Sequence, residues 1–235
     1  MKKTMKQILA ILLVTVMVFG AVPLNINFRS DNALLGVDAN AVSDEEYVEY
    51  NNALYKINNG KAILLYHYYE DTSATFTIPS TVNGYPVNEI AEYAFDSGEF
   101  LKKVVIPDSV QKIGTAAFRD CRKLSEINIP DSVTEIEDET FSGSALKSIV
   151  IPDSVTSIGR NAFWHSGIKN VFISKYVTSI GTGAFSNCSS LEKFEVDSLN
   201  PYYSNDEQGV LFNKNKTRLI CFAGTGDGLK YNIPE

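Results

Sequence analysis

The sequence predicts a mainly-β solenoid, in which short stretches of chain stack as successive coils. A Phe recurs along the chain at steps of 23, 23, 22 and 22 residues. An Ile-Pro pair and a second Ile recur in phase with that Phe. Just before Pro130, the apolar residues Ile127 and Ile129 alternate with the polar Asn128, which is typical of a strand with one buried face. One such coil cannot bury its apolar face alone, so the coils must stack on one another.

The repeat is clearest in Leu124-x-x-Ile127-x-Ile129-Pro130, where Pro130 ends the strand because proline has no N–H to donate. The Phe column comprises Phe95, Phe118, Phe141, Phe163 and Phe185. A period of 22 to 23 residues lies in the range of leucine-rich repeats. We therefore predict a leucine-rich-repeat solenoid, with short parallel strands on its concave face and turns or short helical segments on its convex side. The five extra residues between Ile78 and Ile106 are interpreted as a loop insertion within 82–87.

Both ends of the repeat array carry hairpin signals. Residues 53–57 and 61–66 flank Asn58-Asn59-Gly60, which predicts a β-hairpin with a tight turn that caps the first coil. A second hairpin is predicted from Tyr202-Tyr203 and 209–212, and a further strand at 217–222. The chain reaches Ile233-Pro234 in a fresh copy of the signature, which favours a truncated repeat and a fragment of a longer protein.

The first residues have the layout of a secretory signal peptide. A basic start at Lys2, Lys3 and Lys6 precedes an uncharged apolar run from 8 to 19, and 39–41 offers a small-residue cleavage site. Cleavage near Ala21 is an alternative, and a retained anchor is a second one, although the run is short of the roughly 20 residues that span a bilayer. The predicted organisation is 1–41 signal peptide, 42–75 hairpin cap, 76–198 about five coils, and 199–235 hairpin and truncated repeat.

The signature Leu124-x-x-Ile127-x-Ile129-Pro130-x-x-Val133-x-x-Ile136, with Ile-Gly and Ala-Phe pairs recurring in phase, resembles the BspA-like leucine-rich-repeat family of bacterial surface proteins. The resemblance covers about residues 53 to 235. It implies a curved right-handed solenoid that is secreted or displayed on the cell surface, a role in adhesion or host interaction, and no catalytic residues. The chain departs from the family pattern at Ser174, Glu137 and Thr140.

The candidate site is a row of outward strand residues, one from each coil. Rungs of a parallel ladder lie ~4.8 Å apart, so these side chains should form a continuous strip. The strip comprises Thr77, Val105, Asn128, Val150, Phe172 and Glu195. Exposed apolar clusters often mark interaction sites, which predicts a binding strip for an extracellular protein or glycan. The alternative is ordinary cross-strand packing, since β-branched and aromatic residues suit strands.

No cofactor and no metal ion is expected. The column Asp108, Asp131 and Asp153 is interpreted as turn residues, with calcium binding as the alternative. Cys121 and Cys188 share a slot for small residues and lie too many coils apart to bridge, which leaves Cys221 as the candidate for an intermolecular bond.

The net charge of −7 disfavours nucleic acid as a partner. His67 and His165 lack metal-ligand spacing, and no nucleophile-elbow or phosphate-loop sequence is present. We therefore expect a non-enzymatic binding or adhesion protein with no membrane span in its mature chain. The alternative is a passive spacer that displays another module.

Overall fold

The computed structural model describes residues 46–68 and 74–222, so the predicted signal peptide and the Ile233-Pro234 copy lie outside the described residues. Seventeen strands are present there: β1 Glu46–Tyr50, β2 Ala53–Asn58, β3 Lys61–His67, β4 Thr75–Thr77, β5 Thr81–Val82, β6 Tyr85–Ile90, β7 Lys103–Val105, β8 Lys112–Ile113, β9 Glu126–Ile127, β10 Glu135–Ile136, β11 Ser157–Ile158, β12 Asn170–Ile173, β13 Ser179–Ile180, β14 Lys193–Val196, β15 Tyr203–Asn205, β16 Leu211–Asn213 and β17 Leu219–Cys221. Between the strands, the chain of these ranges forms turns and no helix, so the mainly-β solenoid is confirmed.

The predicted parallel ladder lies on the strands that precede the Ile-Pro positions. It occurs in two runs, β4-β7-β9 and β12-β14, with all neighbours parallel. Phe76 pairs with Val104, and Val104 pairs with Ile127, so the inward residues stack rung on rung. The alternation of buried and exposed residues along β12 matches the strand pattern predicted from the sequence.

A second parallel ladder, which the sequence did not predict, follows the Ile column on another side of each coil. It joins β3, β6 and β8 in one run and β10, β11 and β13 in the other. Ile136, Ile158 and Ile180 stand in register. These strands are two residues long, which is too short for a period-two pattern to be recognised in one sequence.

Turns, not helices, form the remaining side of each coil. The backbone N–H of Tyr93, Phe95 and Ser97 donates to carbonyls of the next coil at 3.1, 2.8 and 2.7 Å, and later coils repeat this pattern. Left-handed backbone occurs twice per coil, at Tyr93, Ala116, Glu139, Asn161 and Gly183, and at Ser97, Asp120, Gly143, His165 and Asn187. A residue with positive φ cannot continue a right-handed helix. Because left-handed residues recur among right-handed ones, the convex side contains turns and not the short helical segments that were the predicted alternative.

The hydrophobic core is a set of columns that run along the solenoid. Neighbouring rings from Phe95 to Phe185 stack with centroids 4.9, 5.7, 5.4 and 5.3 Å apart. All five rings are buried, and the Val and Ile columns lie beside them. The predicted alignment of the Phe residues in one column is confirmed.

Hairpins are present at both ends of the described array. Strands β2 and β3 pair antiparallel around Asn59-Gly60, as predicted, and β1, which was not predicted, pairs with β2. Because β3 also pairs parallel with β6, this hairpin continues the second ladder. At the other end, β15, β16 and β17 form an antiparallel sheet. The insertion at 82–87 is a small hairpin of β5 and β6, turning at Asn83 and Gly84 with positive φ.

At the Ile-Gly pairs, the backbones of neighbouring coils approach each other closely. A Cβ on Gly181 would lie 2.5 Å from the backbone N of Arg160 and 2.6 Å from the carbonyl C of Gly159. Gly114 and Gly159 stand equally close to the backbone of the coil before them. The glycine is therefore required by lack of space, because a backbone neighbour cannot rotate away as a side chain can.

We expect Gly181→Ala to lower the free energy of unfolding by about 1–3 kcal/mol, because the methyl group must push two coils apart. Urea denaturation measures the change. Gly167→Ala is the matched control, since its Cβ would meet Leu146 O at 3.2 Å and needs a smaller adjustment. Equal losses for the two variants would contradict the close-approach interpretation.

Candidate binding face

The predicted strip lies on the outer side of the first ladder. Thr77, Asn128, Val150, Phe172 and Glu195 are exposed, and Val105 is half-buried. Thr77 pairs with Val105, and Phe172 pairs with Glu195, so the strip is formed at both ends of the ladder. The name ladder face is used below for this surface.

The strand pairing beneath the strip is interrupted in its middle, so one continuous ladder does not support the row. Strand β9 ends at Ile127, and residues 148–150 form no strand. The Asn128 side chain was expected to point outward as a ligand contact, but it binds the backbone of the coil before it. Its Oδ1 accepts from Ile106 N at 2.8 Å, and its Nδ2 donates to Ile106 O at 2.7 Å.

The Asn128 amide replaces a backbone partner of the ladder. One coil earlier, the equivalent Ile78 N–H donates to the carbonyl of Val105 at 3.0 Å. Because an amide side chain carries both a donor and an acceptor, Asn128 can satisfy the N–H and the C=O of Ile106 together. Asn128 is therefore a structural residue whose remaining surface is exposed.

The interruption leaves a depression on the ladder face with a volume of about 560 Å³. Its lining residues come from three successive coils: Lys103, Val104, Val105, Ser125, Glu126, Ile127, Asn128, Ile129, Ser148, Ile149 and Val150. Val150 is 83% exposed, and Lys103 pairs with Glu126 at 2.9 Å on the wall. The depression thus combines an apolar rim with a charged pair, a mixture that suits a ligand with both apolar and polar groups.

Apolar exposure continues past the depression, at Phe172 and at positions outside the predicted strip. Phe172 is 52% exposed, Tyr176 45% and Leu199 72%. Tyr176 and Leu199 hold equivalent places in consecutive coils, where earlier coils have the Ser of an Asp-Ser turn. The replacement of this Ser by a large apolar residue was the sequence signal that could have identified the two positions. Lys175 Nζ lies 4.9 Å from the centre of the Tyr176 ring, a cation–π contact.

The Asp-Ser turns connect neighbouring coils through their serines. Ser132 Oγ donates to Asp108 O at 3.0 Å, and Ser154 Oγ donates to Val133 O at 2.7 Å. These bonds support the turn interpretation of the aspartate column. Within 46–68 and 74–222, no three His, Cys, Asp or Glu side chains converge as a metal site would need.

The cysteine and histidine side chains are placed by packing. Cys121 and Cys188 are buried, and burial raises the pKa of the Cys121 thiol to about 12. Each of the two thiols faces the carbonyl of the Phe one coil earlier at 3.0 Å. His67 packs against Phe76 and Phe95 with ring centroids 4.4 and 5.2 Å away. His165 stands beside Trp164 with a left-handed backbone.

Residues 88–206 match the model of the BspA type leucine rich repeat region, with six copies. The matched region extends beyond residue 198, where the predicted repeats end, and the six copies exceed the predicted number of about five. A comparison with curated proteins gives no match. Where the structure is described, it contains no helix long and apolar enough to cross a membrane.

Solved structures of bacterial leucine-rich repeat proteins are similar to this chain. The Treponema pallidum protein TpLRR is 31% identical with a TM-score of 0.57, over 63% of this chain and 71% of that one. A protein from Bacteroides ovatus is 34% identical with a TM-score of 0.54, over 66% of this chain and 40% of that one. A protein from Eubacterium ventriosum is 26% identical with a TM-score of 0.63, over 79% of this chain and 52% of that one.

This chain therefore spans about half or less of the last two proteins. The in-phase columns, the stacked parallel ladders and the match over 88–206 lead to one conclusion. The chain belongs to the BspA-type leucine-rich repeat family.

Proposed function

We propose that this chain is a non-enzymatic extracellular binding module whose ladder face engages a protein or glycan. The observation that carries the proposal is the exposure of Val150 and Phe172, which hold equivalent positions in consecutive coils at and beside the depression. Water gains order at such apolar surface, and burying it against a partner releases free energy in proportion to the area covered. The family is typically found in surface-associated proteins, which supports an extracellular location.

Binding rather than catalysis agrees with the state of the thiols. Burial raises the pKa of Cys121 and of Cys221 to about 12 and raises that of Cys188. A thiol with a raised pKa contains little thiolate at neutral pH and is a poor nucleophile. The raised pKa values therefore give no support to a thiol-based active site.

The depression also favours a polar contact inside an apolar rim. Lys103 and Glu126 are half-exposed or more, so their ion pair contributes little to stability and is available to exchange partners. Lys169 and Glu192 form a second such pair at 3.3 Å near β12 and β14. A ligand with hydroxyl, amide or charged groups beside an apolar part would match this surface.

The test is an array of glycans and extracellular-matrix proteins probed with residues 42–235, followed by affinity measurement of any hit. We expect the double variant Val150→Ser, Phe172→Ala to bind a retained ligand at least about 10-fold more weakly, since each apolar contact contributes of order 1 kcal/mol or more. The matched control is Trp164→Ala with Tyr93→Ala, which changes exposed aromatic residues on the turn side of the coils.

Unchanged affinity of the ladder-face variant, or an equal loss in the control, would refute the assignment of this face. The spacer alternative predicts a different outcome, in which the protein binds no glycan and no matrix protein in the assay. In that case, the solenoid would act through its length and not through its surface.

A further inference from the structure

Small residues three positions after each Phe fill one column of slots between neighbouring coils. They are Gly98, Cys121, Ser144, Ser166 and Cys188. Side chains in consecutive slots touch: Ser166 Oγ and Cys188 Sγ are 3.4 Å apart. A Cβ on Gly98 would likewise lie 3.2 Å from Cys121 Sγ. Neighbouring slots are therefore within side-chain contact distance of each other.

The slot that follows Cys188 is occupied by Cys221, which reaches it from β17 and not from the repeat phase. Cys188 Sγ faces the Phe163 carbonyl at 3.0 Å, and Cys221 Sγ faces the Phe185 carbonyl at 3.8 Å. The rings of Phe163 and Phe185 stack at 5.3 Å, so these two carbonyls belong to adjacent coils. Cys188 and Cys221 are therefore neighbours, one coil step apart.

One coil step matches the geometry of a disulfide bond. Rungs of a parallel ladder are ~4.8 Å apart, and bonded cysteines have Cα atoms about 4.4–6.8 Å apart. The rung spacing falls inside this range, so two cysteines that occupy neighbouring slots have a separation compatible with a disulfide bond. The repeat spacing had pointed to Cys221 as a partner for another molecule, because the position of β17 could not be derived from it.

We propose that Cys188 and Cys221 form an intramolecular disulfide in an oxidising environment, which fastens β17 to the solenoid. The oxidant is a low-molecular-weight disulfide, such as oxidised glutathione. The Cys221 thiolate attacks one sulfur of this disulfide and releases one thiol. The Cys188 thiolate then attacks the sulfur of Cys221 and releases the second thiol. The two protons lost by the cysteines end on the two released thiols, so atoms and electrons balance.

The order of attack follows from exposure. Cys221 is half-buried and lines a cavity of about 90 Å³ together with Arg218 and Ile220, whereas Cys188 is 6% exposed. The exchange is slow in the folded protein at neutral pH, because burial and the nearby Cys188 raise the pKa of Cys221. Oxidation during folding avoids this kinetic limit.

The test is refolding of the full chain from urea in a glutathione redox buffer, followed by thiol counting and peptide mapping under non-reducing conditions. We expect the monomer to retain one of its three thiols, at Cys121, and to yield a linked peptide of Cys188 with Cys221. The oxidised monomer should melt roughly 6–12 °C higher than the reduced one, because the bond closes a long loop.

Serine variants are the controls, since Ser144 and Ser166 show that a serine fits the slots. Cys121→Ser should leave the bond and its thermal effect intact, whereas Cys188→Ser and Cys221→Ser should abolish both. Three free thiols after refolding, a stable glutathione adduct on Cys221, or a reducible dimer linked through Cys221 would each overturn the proposal.

Discussion

Replacing Phe118 by Ala should destabilise the protein by ~3–5 kcal/mol, one of the two largest single-residue effects that we expect. The Phe118 ring is fully buried and stacks between Phe95 at 4.9 Å and Phe141 at 5.7 Å. The substitution removes the ring from the middle of the column and leaves a cavity that its neighbours fill only partly. Urea denaturation followed by circular dichroism measures the loss.

Phe172→Ala is the matched control for Phe118, because its ring lies on the ladder face and is 52% exposed. We expect that control to change the free energy of unfolding by less than about 1 kcal/mol. Each coil contacts only its neighbours, so the Phe118 cavity weakens the coupling between the two halves of the array. A loss below 1 kcal/mol for Phe118→Ala would contradict the role of the Phe column as the core.

Asn200→Ala should have a comparable effect, of about 3–4 kcal/mol, because four hydrogen bonds to backbone groups are lost. Asn200 is fully buried, and its Nδ2 donates to Ser174 O at 2.7 Å and to Val177 O at 3.0 Å. Its Oδ1 accepts from the N–H groups of Tyr202 and Tyr203, both at 2.8 Å. This one side chain thus connects its own coil to the coil before it.

Asn200→Asp distinguishes the hydrogen bonds from the volume of the side chain. The second carboxylate oxygen would face two carbonyl oxygens, so the folded state would favour the protonated acid and raise its pKa above the unfolded value. The variant should therefore be most stable at pH values below about 4 and lose stability as the pH rises above this value. Asn170→Ala, on the exposed side of β12, is the control. Equal stability of the Asp variant at pH 4 and pH 7 would contradict this role.

The sequence predicted the repeat array because each repeat contains the same periodic pattern of apolar residues. The spacing of Phe95, Phe118 and Phe141 was sufficient to place these rings in one column. The turn at Asn59-Gly60 was sufficient to place the first hairpin. Burial can be predicted from such local patterns, because it depends on which residues are apolar and on the period at which they recur.

The candidate site was predictable in part. The exposure of Val150 and Phe172 was predictable from their shared place in the repeat, between two inward residues. The interruption at Asn128 does not follow from it, because an Asn on a strand is equally compatible with an outward side chain. Tyr176 and Leu199 were missed because their positions hold turn residues in the earlier coils.

Asn200 shows how a repeat pattern hides a structural residue. It lies 23 residues after Val177, in the column of inward valines, and so continues the phase with a polar side chain. In a sequence, a polar residue at a core position is interpreted as the end of the repeat pattern. In the structure, the same burial makes its four hydrogen bonds strong and costly to lose.

The sequence by itself determined that the chain forms stacked coils, which residues face the core, and where the hairpins turn. The tertiary structure alone decided the second ladder, the left-handed turns, the depression on the ladder face, and the placement of Cys221 beside Cys188. The reason is physical. Hydrophobic burial is a property of each residue and its period, whereas backbone hydrogen bonds and contacts between coils depend on how closely two distant segments approach in space.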